Sequence, residues 1–258
     1  MAIICVSGEN RRGKSLLFLI GCALAGFLPH FIPSPKSFIP AVVIACLLGF
    51  YGLIVVLNVP KSPKDFLHFF SAKNEIDSNL PSVDVLVSAR DEENVIFRLV
   101  HRLLSLKYPK EKIKICIIDD GSQDETPLIL KELNKQFSNL QIISRSRSSV
   151  GGKSGALNHA LRQVSGDWVF ILDADADFHY ETLLKLVPFA QNGKWCAVQL
   201  RKAVVNSHQN LLTSCQAMEM AMDTVIQKGR QELGGVVELR GNGVLLNRSV
   251  LDKCGGFN

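Results

Sequence analysis

The sequence predicts an α/β domain with a mainly parallel central sheet, preceded by an N-terminal transmembrane helical hairpin. Three observations predict it. From residue 81 onward, short β-rich runs alternate with segments of helical spacing; before residue 60, two long segments carry no charged side chain; and carboxylates cluster where the predicted strands end.

The hairpin comes first in the chain. Residues 15–32 (SLLFLIGCALAGFLPHFI) and 38–59 (FIPAVVIACLLGFYGLIVVLNV) contain no Lys, Arg, Asp or Glu. Each approaches the roughly 20 apolar residues that cross a bilayer. The short PSPKS between them leaves room only for a tight connection. Arg11, Arg12 and Lys14 precede the first segment, Lys61 and Lys64 follow the second, and Lys36 alone lies between. Cytoplasmic flanks carry the excess of basic residues, so both ends, and the domain that follows, are expected on the cytoplasmic side of an integral membrane protein. Pro29 and His30 weaken the first segment and keep open a buried hairpin in a soluble protein. The expected organisation is therefore a cytoplasmic segment at 1–14, two transmembrane helices at 15–59, a linker at 60–80 with the amphipathic stretch KDFLHFF, and the α/β domain at 81–258.

Within that domain, residues 83–87 (VDVLV) read as a strand and 92–106 as a helix. A strand at 113–118, a helix at 126–137, a strand at 140–143 and a helix at 154–164 follow. The last clear pair is a strand at 168–172 (WVFIL) and a helix at 182–189. Regular alternation of this kind builds parallel sheets with helical crossovers.

Composition narrows the function. The chain has 258 residues, a net charge of +5 and seven scattered cysteines with no CxxC. An odd, unpaired set argues against a disulfide framework or a zinc site. The mild positive balance suits anionic lipid or phosphate-bearing ligands as well as it suits ordinary surface charge. No long basic run interleaved with aromatics points to nucleic acid.

In open α/β sheets, ligands bind beyond the carboxyl ends of the strands. The first strand runs into Ser88, Ala89, Arg90, Asp91 and Glu92; the second into Asp119 and Asp120; the third into Arg145 and Arg147; the fourth into Asp173, Ala174 and Asp175. Alternate residues of an extended segment face one side, so Asp173 and Asp175 can aim at one place. Their oxygens suit a hard cation such as Mg2+ or Mn2+. On local sequence alone they read equally as a solvated acidic turn, and Asp177 continues the alternation. Asp120 before Gly121 is suited to accept from a nucleobase N–H, or simply to form a turn. GGKSGALNHAL opens a helix behind a glycine pair, and its amides, with Lys153, Arg145 and Arg147, would favour a diphosphate. The alternative is a mobile basic loop.

A separate motif lies at residues 8–15, where GENRRGKS matches the phosphate-loop pattern GxxxxGK[ST]. It supports an alternative function, a P-loop NTPase. The all-apolar segment after it suits lipid better than an NTPase sheet.

Taken in order, PSVDVLVSARDEENVI, CIIDDGSQDET, GGKSGALNHAL, DWVFILDADADFHYETL and VELRGNGVLLNRSVLDKCGGFN resemble the blocks of the cellulose synthase-like and hyaluronan synthase-like group of inverting family-two glycosyltransferases. The resemblance implies a GT-A fold, a nucleotide-sugar donor (usually UDP-linked), a divalent metal, and a glycan or lipid acceptor at the membrane. It puts Ser88, Arg90 and Glu92 near the nucleoside, Asp120 on the uracil and Lys153 on the diphosphate. Asp173 would contact nucleotide or metal, Asp175 would ligate the metal, and Gly241 and Asn242 would face the sugar or acceptor. It also implies a later block whose Asp is the general base. The sequence stops at Asn258, ahead of that block, and Asp252 in SVLDKC is a poor substitute. No catalytic base is therefore expected among these residues, and a truncated domain, a non-catalytic remnant or a nucleotide-binding module remains an alternative. Arg90 and Asp91 stand where the family often has Tyr or Asn.

Overall fold

The structure is a computed structural model that describes residues 39–59 and 80–257, with isolated positions between 16 and 31. The first apolar segment, apart from those isolated positions, the GENRRGKS motif and most of the linker lie outside the described residues. In chain order the elements are α1 (Ile39–Leu57), β1 (Val83–Ala89), α2 (Glu93–Leu104), β2 (Ile113–Asp119), α3 (Thr126–Gln136), β3 (Leu140–Ser144), α4 (Gly152–Leu161), β4 (Trp168–Asp173), α5 (Thr182–Asn192), β5 (Ala197–Gln199), α6 (Leu211–Glu232), β6 (Val244–Asn247) and α7 (Arg248–Lys253). The chain divides into two compact units: residues 1–62 with 203–238, and residues 63–202 with 239–258.

The second unit is an α/β domain around a six-stranded sheet of order β3-β2-β1-β4-β6-β5. The first four strands run parallel, as the alternating pattern predicts. Strand β6 runs antiparallel to both β4 and β5. The strands β1, β2 and β4 are buried on both faces, which is why they read as continuous apolar runs rather than as alternation.

Side chains one residue apart go to opposite faces. Val83, Val85 and Val87 join Ile96, Leu99 and Leu103 of α2, Leu130 and Leu133 of α3, and Leu183 and Leu186 of α5 in one core. Leu86, Cys116, Ile118 and Ile171 meet Ala156, Leu157 and Ala160 of α4 on the other face. The helices thus form layers on both sides. Asp84 falls on the α4 face and is buried. It accepts from the Gly166 amide in the turn before β4, and burial holds its carboxyl above the ordinary range.

Strand register positions the site. Ser88 of β1 lies opposite Asp173 of β4, and Ala89 lies opposite Asp119 of β2. Because β6 is antiparallel and pairs Val244 with Ile171, its leading residues 241–243 arrive at the same carboxyl edge. No element is predicted from the sequence between residues 190 and 247, yet β5, α6 and most of β6 form there. Helix α4 starts at Gly152 and ends at Leu161, where the sequence pattern places residues 154–164. Gly151 and Gly152 at its start both take positive φ values that glycine adopts freely.

In the first unit, α1 is 19 residues long without a charged side chain. Val42, Leu47, Phe50, Leu53 and Leu57 along it are exposed. Among the described residues no helix is long and apolar enough to cross a membrane. Helix α1 packs on α6 where Gly229 meets Val55, both of them buried. A side chain at Gly229 would run into the Val55 carbonyl.

Candidate active site

Four strand exits and the segment before β6 meet at the carboxyl edge of the sheet. The exits of β1 and β2 are laced together by their own side chains. Asp91 donates its amide to Ser122 Oγ at 3.0 Å and accepts the Gln123 amide at 2.7 Å. The Glu92 amide donates to Thr126 Oγ1 at 2.9 Å. Glu93 and Asp124 complete the lacing: the Glu93 amide donates to Asp124 Oδ2 at 3.0 Å, and the Glu125 amide donates to Glu93 Oε2 at 2.9 Å. Asp91 holds φ at +58°, a left-handed conformation that Asp and Asn tolerate better than most side chains.

The third exit secures the second. Asp120 and Arg145 form an ion pair at 2.9 Å with each side chain 7% exposed. Arg145 also donates to the Val150 and Gly152 carbonyls, at 3.0 and 3.4 Å. Arg147 pairs with Asp91 at 2.9 Å and donates to the Gly121 carbonyl at 3.2 Å. Gly121, at φ +74°, has the Arg147 backbone where a side chain would stand. Both arginines pair with acids of neighbouring loops. The acids at the exits of β1 and β2 draw them in, and the charge-assisted bonds fix the loops.

The fourth exit carries the metal candidates. Asp173 is half-buried at the end of β4, Asp175 is exposed two residues on, and the turn closes with the Ala176 amide on the Asp173 carbonyl at 3.1 Å. Asp177 turns away and pairs with Arg102 of α2, which removes it from the set. Lys153, in the first turn of α4, lies against Asp173 Oδ1 and donates to the Gly241 carbonyl at 2.9 Å. The Asp173 amide donates to Asn242 Oδ1 at 3.1 Å. Ser88 is half-buried beside Asp173, and Arg90 is exposed at the mouth. Glu92 has its carboxyl pushed above the ordinary range, first by burial and then by the negative charge of Asp175, Asp124, Asp173 and Asp91.

Residues that sequence reasoning passes over complete the arrangement. Gln199, the last residue of β5, accepts the Arg240 amide at 2.8 Å and donates to the Asn242 carbonyl at 2.8 Å. It is the staple of the 240–243 loop. Asn158 of α4 clasps the main chain of Phe257 through both of its amide atoms, at 2.6 and 2.8 Å. The Asn in GGKSGALNHAL was the available signal for that contact; Gln199 sits in no motif.

The donor set fits a divalent cation. Carboxylate oxygens of Asp173 and Asp175 are hard ligands, and the Lys153 ammonium already sits against one of them as a stand-in cation. Among the described residues no three His, Cys, Asp or Glu side chains stand close enough to cage a metal.

Comparison with known proteins agrees with this geometry. A model of glycosyl transferase family 2 matches residues 84–255. The chain is 40% identical to the beta-monoglucosyldiacylglycerol synthase of Nostoc sp. over 97% of its length and 51% of that protein's. It is 43% identical to the Synechocystis sp. protein of the same name over 69% of its length and 37% of that protein's. The chain thus spans about half the length of the first of these relatives or less. Among solved structures, the mannosyltransferase PcManGT from Pyrobaculum calidifontis, in complex with GDP-Man and Mn2+, superimposes with a TM-score of 0.61 at 21% identity, over 84% of this chain and 59% of that one. The fold is of the GT-A type, and the chain belongs to glycosyl transferase family 2.

Proposed function

We propose that this chain carries the donor-binding part of an enzyme that transfers a glucosyl group, with inversion, from a UDP-sugar to a diacylglycerol-type lipid at the cytoplasmic face of a membrane. One observation carries the reading. Register and the reversed strand β6 gather Asp120, Glu92, Lys153, Asp173 and Asn242 at one sheet edge, from five separate segments. Such a cluster suits a ligand with a base at one end and a diphosphate at the other.

Asp120, oriented by Arg145, accepts from the uracil N–H. Ser88, Arg90 and Glu92 line the nucleoside, and Lys153 leaves Asp173 for the diphosphate. Asp173 and Asp175 hold Mg2+ or Mn2+, which when bound neutralises charge on the leaving diphosphate. Gly241 and Asn242 face the sugar or acceptor, on a loop fixed by Gln199 and Lys153. The general base is assigned to none of these residues.

The lipid acceptor is supported by the names of the relatives and by the exposed apolar helix α1. In this reading residues 15–59 are the membrane hairpin, 1–14 and the linker at 60–80 lie at its cytoplasmic end, and 81–258 form the GT-A domain.

Titration calorimetry of the detergent-solubilised chain with UDP-glucose, UDP and ATP, in Mn2+ and then in chelator, tests the donor site. Metal-dependent UDP binding that disappears in Asp175→Ala is the expected result. Folded protein that binds none of the three, or that binds UDP equally in chelator, would sink the assignment.

A further inference from the structure

Helix α6 is 22 residues long and opens with a reciprocal cap between Asn210 and Thr213. Along it Leu211, Cys215, Met218, Met222 and Val225 recur at alternating steps of four and three, so they line a single stripe. All five are exposed, with Leu211 at 81%, Met218 at 66%, Met222 at 63% and Val225 at 40%. The next position in the same series is Gly229, and it is buried against Val55 of α1. One seam is thus closed by α1 at its C-terminal end and stays open toward its N-terminus for about four turns.

What closes the seam indicates what covers the rest. Helix α1 bears no charged side chain and is itself exposed along its length. Soluble proteins rarely leave contiguous apolar surface bare without a partner or a membrane. Lys228 and Arg230 flank Gly229 in sequence, at the end where the seam meets α1. Long basic side chains there can lay their stems on apolar surface and keep their charge among anionic headgroups. The unbranched, adaptable methionines suit contact with a fluid medium.

We infer that α6 is a second membrane contact of this protein, lying on the lipid surface with the 211–225 seam turned to the acyl chains. The inference rests on the membrane reading given above and adds an interfacial helix that lies between β5 and β6 in the chain.

Nitroxide labelling of the full chain in phosphatidylcholine–phosphatidylglycerol vesicles tests it. Every cysteine but the buried Cys116 is replaced, and single labels go on Met218→Cys, Met222→Cys and, as the water-facing control, Gln216→Cys. The chosen sites are exposed, so the labels require no repacking. Power saturation then compares collision with oxygen, which partitions into lipid, and with a water-soluble nickel chelate. Oxygen-dominated values at 218 and 222, with nickel-dominated values at 216, are expected. Nickel access at 218 and 222 equal to that at 216 overturns the inference. Shielding from both reagents also overturns it and points instead to a second copy or a partner helix. Failure of the chain to float with the vesicles would sink the membrane reading itself, whereas flotation with a water-facing seam sinks the α6 assignment alone.

Discussion

At the scale of single residues, the acids at the strand exits divide into those that build the site and those left to work in it. Asp91 is a builder. Its carboxyl is held below the ordinary range, first by the Gln123 amide and then by Arg147, and its backbone occupies a left-handed conformation. Asn in its place would keep the backbone conformation and an oxygen for Gln123 but lose the charge; Ala would lose all three. UDP affinity at pH 7 is therefore expected to fall in the order wild type, Asp91→Asn, Asp91→Ala. Because the folded pKa is depressed, the contribution of the carboxylate is complete above about pH 4 and is lost as pH falls through the lowered value. The advantage of wild type over Asp91→Asn should accordingly vanish in acid. Equal affinities for wild type and Asp91→Ala at pH 7 would remove Asp91 from the support of the donor site. Asp173 and Asp175 are legible in the sequence because they end an apolar strand. The commitment of Arg145 and Arg147 is not, since it depends on which loops the sheet brings together.

At the scale of elements, the parallel half of the sheet is readable because each strand is a continuous apolar run followed by a periodic helix. The reversed half is not. Strand β5 has three residues, all half-buried, and β6 has four, too few to show a period. Gln199 shares this obscurity, because its loop partners lie 41 to 44 positions away. Helix α6 did offer a signal, the four-three spacing of its apolar residues, which acquires meaning only beside α1. Gln199 gives the reversed half a testable role. Gln199→Leu keeps the volume but removes the acceptor of the Arg240 amide and the donor to the Asn242 carbonyl. A cost of about 0.5–1.5 kcal/mol per lost hydrogen bond is expected, read by denaturant unfolding. If the loop serves the sugar or acceptor, the variant should lose affinity for UDP-glucose while retaining affinity for UDP. Equal losses for both ligands would mean that Gln199 supports the sheet edge in general rather than the 240–243 loop.

At the scale of the whole molecule, the chain puts its apolar residues to two uses. One unit buries them on both faces of a sheet, and its carboxyl edge is left to charged side chains. The other unit, residues 1–62 with 203–238, leaves them outside along α1 and α6. A sequence-wide hydropathy reading detects the first apolar segments, but it cannot see that residues 203–238 join them, because that grouping is made by tertiary contact at Gly229 and Val55. In the proposed reading donor binding acts on the sheet unit, where five segments converge at the carboxyl edge. A ligand that binds only the folded state at 100 times its dissociation constant adds about 2.7 kcal/mol, and at about 2–4 °C per kcal/mol for a chain of this size the transition should rise by roughly 5–10 °C. Scanning calorimetry in detergent, with UDP and Mn2+ together, measures it. Either component alone should give less, since in the proposed site the two Asp carboxylates would need phosphate oxygens to complete a metal site and the diphosphate would need the metal to offset their charge. Asp175→Ala should unfold at the unliganded temperature of the parent chain and show no rise with UDP and Mn2+. A full rise with UDP in the absence of metal would instead mean that Lys153 alone balances the diphosphate.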